Sequence, residues 1–187
     1  MLERAREATG GGGGMLRQRG RRMLLTLAAI IVIGLLGVRL YMGRDAEDGL
    51  RPGEQVDFAR LAPGARTNVF LLCPREPAIC NQSPDGVSPV FPVEMAALRE
   101  RLLRVAAAEP RVHLVSEDAD HRHLVFIARS ALLRFPDIVT VELFPTGSGR
   151  STLAILSRSR YGRSDFGVNE RRVEAWIGKL KAATGTP

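Results

Sequence analysis

Between Ser157 and Trp176 the chain reads SRSRYGRSDFGVNERRVEAW, its densest run of charged and hydrogen-bonding side chains. From Arg158 to Arg172, Arg158, Arg160, Arg163, Arg171 and Arg172 stand against only Asp165 and Glu170. Guanidinium forks, together with the free N–H groups of a helix starting near Asn169, are the chemistry of an anion site for a phosphate or a carboxylate. The competing reading is structural: Asp137, Glu142 and Asp165 pair with the arginines and fix a turn and a strand register. Ser164 and Asp165 in GRSDFG suggest a hydrolase, but a nucleophile elbow needs glycine two residues after the serine, and Gly167 comes three after. Without a positioned histidine the hydroxyl is a weak nucleophile. His121 and His123 are two apart and lack a visible third ligand, so a solvent-exposed pair is the default over a metal site. His113, in an apolar run, reads as a hydrogen-bonded structural histidine. No catalytic residue, metal or cofactor is assigned.

Cys73 and Cys80 are the only cysteines, set in LCPREPAIC. A local disulfide, two buried thiols and half of a metal site are the readings open to them. Zinc would want two further ligands, and none is near in sequence. In an oxidising compartment the disulfide is favoured.

The compartment follows from hydropathy and charge. MLLTLAAIIVIGLLGVRLYM, residues 23–42, carries only Arg39 as a charge, and a helix of that length spans about 30 Å, the hydrocarbon thickness of a bilayer. Arg39 can snorkel near Tyr41. Arg17, Arg19, Arg21 and Arg22 precede the span, whereas Asp45, Glu47 and Asp48 follow it with Arg44. The positive-inside rule therefore leaves residues 1–22 as a basic cytoplasmic tail and sends the rest across the inner membrane. GVRLYMGRD offers no small-x-small cleavage pattern, which favours an uncleaved anchor over a secretory signal. Met15, after the low-complexity run Gly10 to Gly14, is a candidate initiator. The formal charge of +7 belongs to this tail: eight arginines against Glu3 and Glu7 lie in residues 1–44, leaving 19 basic and 18 acidic residues beyond, a net of +1. Nucleic acid is thus not an expected partner of the domain.

Residues 43–67, rich in Gly, Pro and charge, read as a tether, and residues 68–183 as one extracytoplasmic domain. Pro92 suits a first helical position, and Met95, Leu98, Leu102 and Val105 recur at helical spacing until Pro110. Strand-like runs begin at Asn68, Val112, His123, Ile138 and Ser151, with a short extended piece at 87–91; their short connections favour antiparallel neighbours. A second helix has Asn169 as its expected N-cap, a staple between Val168 and Val173, and an apolar stripe of Val173, Trp176, Ile177 and Leu180. The expected fold is α+β: a transmembrane helix, then a two-layer domain of antiparallel sheet packed by two helices, the sheet burying one face and showing the other.

The Ser157 to Trp176 stretch, the segment ARSALLRFPDIV from Ala128, and the cysteine-proline loop together resemble the domain of unknown function 1499 family over most of Asn68 to Leu180. Two departures are visible: Ala78 and Ile79 stand where the family has Pro-Asn before the second cysteine, and Ile138 stands where a second aspartate often follows Asp137. The resemblance implies a bacterial or plastid envelope domain of α+β type and brings no established activity. With Arg134 and Asp137 from the matching segment, the candidate ligand- or partner-binding set is Arg134, Asp137, Arg158, Arg160, Ser164, Asp165, Asn169, Arg171 and Arg172. The reading that follows is a non-enzymatic envelope binding or assembly module, with an anionic ligand or an envelope protein as partner. A hydrolase acting on a lipid or cell-wall component, or a purely structural subunit of a membrane complex, are the alternatives.

Overall fold

The structure is a computed structural model describing residues 12–44, 49–51, 54–61, 68–75, 79–162 and 164–186, with the side chains of 12–17 and 44 outside that description. Arg163 and the acidic residues expected just after the span lie outside it, as do the side chains of the candidate initiator Met15 and of Arg17. The chain divides into an N-terminal unit ending at Tyr41 and a domain from Met42 onward.

The N-terminal unit is helix α1, Gly12–Arg44. Its segment Gln18–Gly43 is long and apolar enough to cross a membrane. Side chains such as Leu24, Ile33 and Leu40 are exposed along it, so the helix satisfies its own backbone and presents an apolar surface. An anchor or a signal sequence has this character.

The domain holds strands β1 (Val69–Cys73), β2 (Gly86–Val87), β3 (Val112–Glu117), β4 (His123–Arg129), β5 (Pro136–Gly147) and β6 (Arg150–Ser159), with helices α2 (Met95–Ala107) and α3 (Val168–Thr184). The strands form one sheet in the order β2-β1-β6-β5-β4-β3. From β3 to β6 it is an antiparallel meander, and β1 adds to β6 antiparallel. Strand β2, however, pairs parallel with β1, which makes the sheet mixed rather than antiparallel throughout. The long crossing from β1 back to β2 through the cysteine loop supplies the connection that a parallel pair requires.

Strand alternation sorts the side chains. Leu124 and Phe126 of β4, Val139, Val141 and Leu143 of β5, and Leu153 and Ile155 of β6 face the helices. There they meet Leu98, Leu102 and Val105 of α2 and Val173, Trp176 and Leu180 of α3. Phe126 stands edge-on to Trp176, ring centroids 5.4 Å apart. Helix α2 begins at Met95 instead of Pro92, because the chain stays extended through Phe91 and Val93: Phe91 bridges Ser151, and the Ser151 hydroxyl donates to the Val93 carbonyl at 2.7 Å.

The other face of the sheet is also covered, contrary to expectation. Val56 and Phe58 pack with Leu71, Cys73, Ala154 and Leu156 in a second core, and Val125, Ile127 and Ile138 on that side are buried as well. Of the segment read as a tether, the described residues 49–51 and 54–61 are therefore a strap laid on the sheet. Its Val56 carbonyl is bonded to His123 Nε2 at 2.7 Å. Its Leu61 carbonyl accepts from Asn81 Nδ2 and Gln82 Nε2, and a short 3-10 turn, Phe58–Arg60, is capped by Asp57. Cys73 and Cys80 form a disulfide, with Cα atoms 6.4 Å apart. It closes the loop leaving β1.

Candidate functional site

The arginine-rich stretch is divided by the sheet into two clusters. On the strap side, alternation places Arg158 and Arg160 opposite the core-facing Leu153 and Ile155, as expected, but against the chain's own strap. Arg160 grips Glu54 with both arms of its fork, Nε to Oε1 at 2.7 Å and Nη2 to Oε2 at 2.5 Å, and also donates to the Gly49 carbonyl at 3.0 Å. Arg158 Nη2 donates to the Glu54 carbonyl at 2.8 Å. Only 3% of the Arg160 side chain and 13% of the Glu54 side chain remain exposed, so the pair is desolvated as well as bidentate. Burial acts to raise the Glu54 carboxyl, but the Arg160 hydrogen bond, the Arg51 backbone N–H and the charges of Arg160 and Arg158 outweigh it and hold it below the ordinary range. Arg158 Nε and Arg160 Nη1 are buried without a hydrogen-bond partner.

On the helix side, Asn169 is the hub and is fully buried. Its Oδ1 accepts from Ser157 Oγ at 2.7 Å and from Arg172 Nη1 at 2.7 Å, and its Nδ2 donates to the Asn68 carbonyl at 3.0 Å and to Ser159 Oγ at 3.2 Å. Arg172 also donates to Ser157 Oγ at 2.9 Å and from Nη2 to Asp137 Oδ2 at 2.6 Å. This network ties the end of β6, the start of β5, the residue before β1 and the first turn of α3 together. Asn169 is thus not the N-cap. Asp165 does that work, its carboxylate accepting from the backbone N–H of Gly167 at 3.2 Å and of Asn169 at 2.9 Å. Burial raises the Asp165 carboxyl, and these backbone donors outweigh it, so it too sits below its ordinary range. The expected staple is open, since Val168 is exposed while Val173 is buried.

Of the remaining candidates, Ser164 is exposed and its hydroxyl accepts from the Phe166 N–H. Arg171 turns back to the Phe166 carbonyl at 2.9 Å. Arg134 lies in the β4–β5 turn at positive φ, where its carbonyl accepts from Arg129. Asp137 pairs with Arg172 as the structural reading supposed, whereas Glu142 lies beside Arg122, at 3.9 Å, and Asp165 binds backbone. The start of α3 opens on a small recess bordered by Asp85, Asp165 and Glu170, a carboxylate-lined surface that repels an anion.

The histidines take separate roles. His121 is exposed beside Glu117 at 2.9 Å, and His123 is half-buried against the strap. His113 is exposed on β3, not structural as expected; β3 is the sheet's edge strand, and a side chain there has a neighbour strand on one side only. Among the described residues no group of three or more His, Cys, Asp or Glu side chains is placed to hold a metal ion.

Glu54, Ser157 and Asn68 were absent from the candidate set. The signal for Glu54 was the V-D-F alternation just after it, Val56 to Phe58, which marks an extended segment with a buried side. Asn68 carries φ 63, a left-handed conformation that asparagine tolerates better than most residues.

Taken together, these features define a disulfide-stapled α+β domain behind an apolar N-terminal helix, its polar residues knitting a mixed six-stranded sheet to two helices and a strap. The family model described as protein of unknown function (DUF1499) matches residues 71–180, more than half of the chain. The chain belongs to that family, and the fold agrees with the α+β class that the resemblance implied. No curated protein matches it in sequence.

Proposed function

We propose that the protein is a non-enzymatic binding or assembly module anchored in the inner membrane by α1, with its N-terminus cytoplasmic and its domain outside. The observation carrying this reading is that the dense polar cluster is spent on the chain itself. Arg160 holds Glu54, Arg172 holds Asp137, and Asp165 caps α3. A catalytic carboxylate needs a proton-transfer partner within hydrogen-bond reach. Among the described residues neither Asp137 nor Asp165 is bonded to a histidine or a second carboxylate; their partners are Arg172 and backbone N–H groups. The anion site foreseen at Arg158 and Arg160 is, in this reading, filled in cis by Glu54. The disulfide and the acidic flank after the span support delivery to an oxidising compartment.

The test is alkaline carbonate extraction of native membranes combined with sequencing of the protein's N-terminus. Retention in the pellet with the apolar segment intact supports the anchor. Release into the supernatant, or an N-terminus beyond residue 42, makes α1 a cleaved signal and removes this reading.

A further inference from the structure

Away from both polar clusters, at the β2 end of the sheet, lies an open groove of about 670 Å³. Its floor is hydroxylic, with Ser88 and Thr152 buried; Thr152 is already bonded to the Pro89 carbonyl at 2.9 Å. Thr146 adds a hydroxyl with no hydrogen-bond partner. One side is apolar and open, with Val87 and Val90 left 54% and 46% exposed. Around this surface stand three cations, Arg75, Arg150 and Lys181, and no described acidic residue lines the groove. None of the three enters an ion pair among the described residues, in contrast to Arg160 and Arg172.

A concave site of this size, with apolar walls and a few convergent polar groups, is what small ligands occupy. Uncompensated cations beside exposed valines fit a molecule carrying an anion and an apolar chain together. A peptide is the weaker match. Strand addition needs a row of free main-chain groups, and here the edge strand β2 is only Gly86–Val87, with Pro89 beyond it offering no N–H. The disulfide at Cys73–Cys80 staples the loop that carries Pro74 and Arg75, so that wall of the groove is preformed.

We infer that this groove binds an anionic phospholipid, the guanidinium groups of Arg75 and Arg150 and the Lys181 ammonium taking the phosphate while Val87, Val90 and Ile177 take the adjoining acyl segment. Arginine forks match phosphate oxygens geometrically and a lysine adds a mobile point charge. The inference rests on the reading of a membrane-anchored domain, since lipid is then the amphiphilic anion close at hand.

The test uses the full-length protein in a neutral detergent, incubated with equal amounts of phosphatidylglycerol and phosphatidylcholine, with retained lipid counted by native mass spectrometry. Phosphatidylglycerol should be retained over phosphatidylcholine by about tenfold, the scale of one charge-assisted contact. The Arg75→Gln/Arg150→Gln/Lys181→Gln variant should lose that preference and Val90→Asn should retain less of both lipids, each with an unchanged melting midpoint. If the triple variant melts early, Arg150→Gln alone, at the exposed hairpin tip, carries the comparison. Equal retention by wild type and variants would assign the lipid to α1 or elsewhere and overturn the proposal. Displacement of the lipid by inorganic phosphate at similar concentration would overturn it too, by showing a plain anion site. Absence of preference in a wild-type protein that still fractionates with membranes removes only the groove. A protein released by carbonate removes the anchor whatever lipid it retains.

Discussion

Arg160 and Arg172 look alike in sequence, yet their removal should cost different amounts. Arg172 lies between the sheet and α3, where nothing can open locally. Its loss leaves Asp137 with a carboxylate only 10% exposed and no counter-charge, a situation costing about 3 to 5 kcal/mol. Arg172→Met should therefore lower stability by that order in urea unfolding, and Asn169→Ala, which leaves the buried Ser157 hydroxyl proton without its acceptor, by about 1 to 3 kcal/mol. Glu54→Gln unpairs a guanidinium just as buried, but the strap can lift and let water reach it. The cost is then capped by the free energy of docking the strap. Amide exchange should accelerate selectively in residues 54–61 while the meander stays protected; uniform acceleration would show the strap to be inseparable from the core. A pH dependence follows with a definite sign. Glu54 and Asp165 have folded-state pKa values below their ordinary ones, so the unfolded chain takes up protons first on acidification. Their contribution is complete above about pH 5 and drains away as pH falls through the folded values. Glu142 runs the other way, because burial, only partly offset by His123 and Arg122, raises it. Glu142→Gln should thus be neutral or stabilising at pH 7.

At the scale of elements, α2, α3 and the four meander strands were legible because each obeys one clear period, 3.6 for the helices and 2 for the strands. Residues such as Leu98, Leu102, Val139 and Val141 mark their own burial. The misreadings share a physical cause: the deciding partner is distant in sequence. Pro92 fails to start α2 because Ser151 holds the chain extended. Asn169 fails as a cap because Ser157 and Arg172 claim its side chain, leaving the helix N–H groups to Asp165. The strap was read as linker because its composition is that of a linker, and only the facing arginines and Leu71, Ala154 and Leu156 make it a layer. Within the candidate set the local pattern assigned the wrong counterpart to Arg160, whose partner Glu54 lies in the strap. The disulfide belongs to this scale as well. Closing so short a loop is worth about 2 to 3 kcal/mol in the chain-entropy picture. Cys73→Ser/Cys80→Ser should lose roughly that amount in thermal unfolding and leave a folded sheet, since Cys73 is also packed in the second core; collapse of the whole domain would give the staple a larger role.

For the whole molecule, the Glu54 latch makes residues 49–51 and 54–61 part of the folded domain, together with the chain from Asn68 onward. In the reading proposed above, this strapped domain presents its groove to lipid or to a partner outside the cytoplasm. That account stands on the domain being outside the cytoplasm. The most direct measurement is a pair of reporters fused after Thr186 in the intact chain, alkaline phosphatase, active only outside, and green fluorescent protein exported by the general secretory route, which fluoresces only inside. The account predicts phosphatase activity without fluorescence. Fluorescent cells lacking phosphatase activity would contradict it.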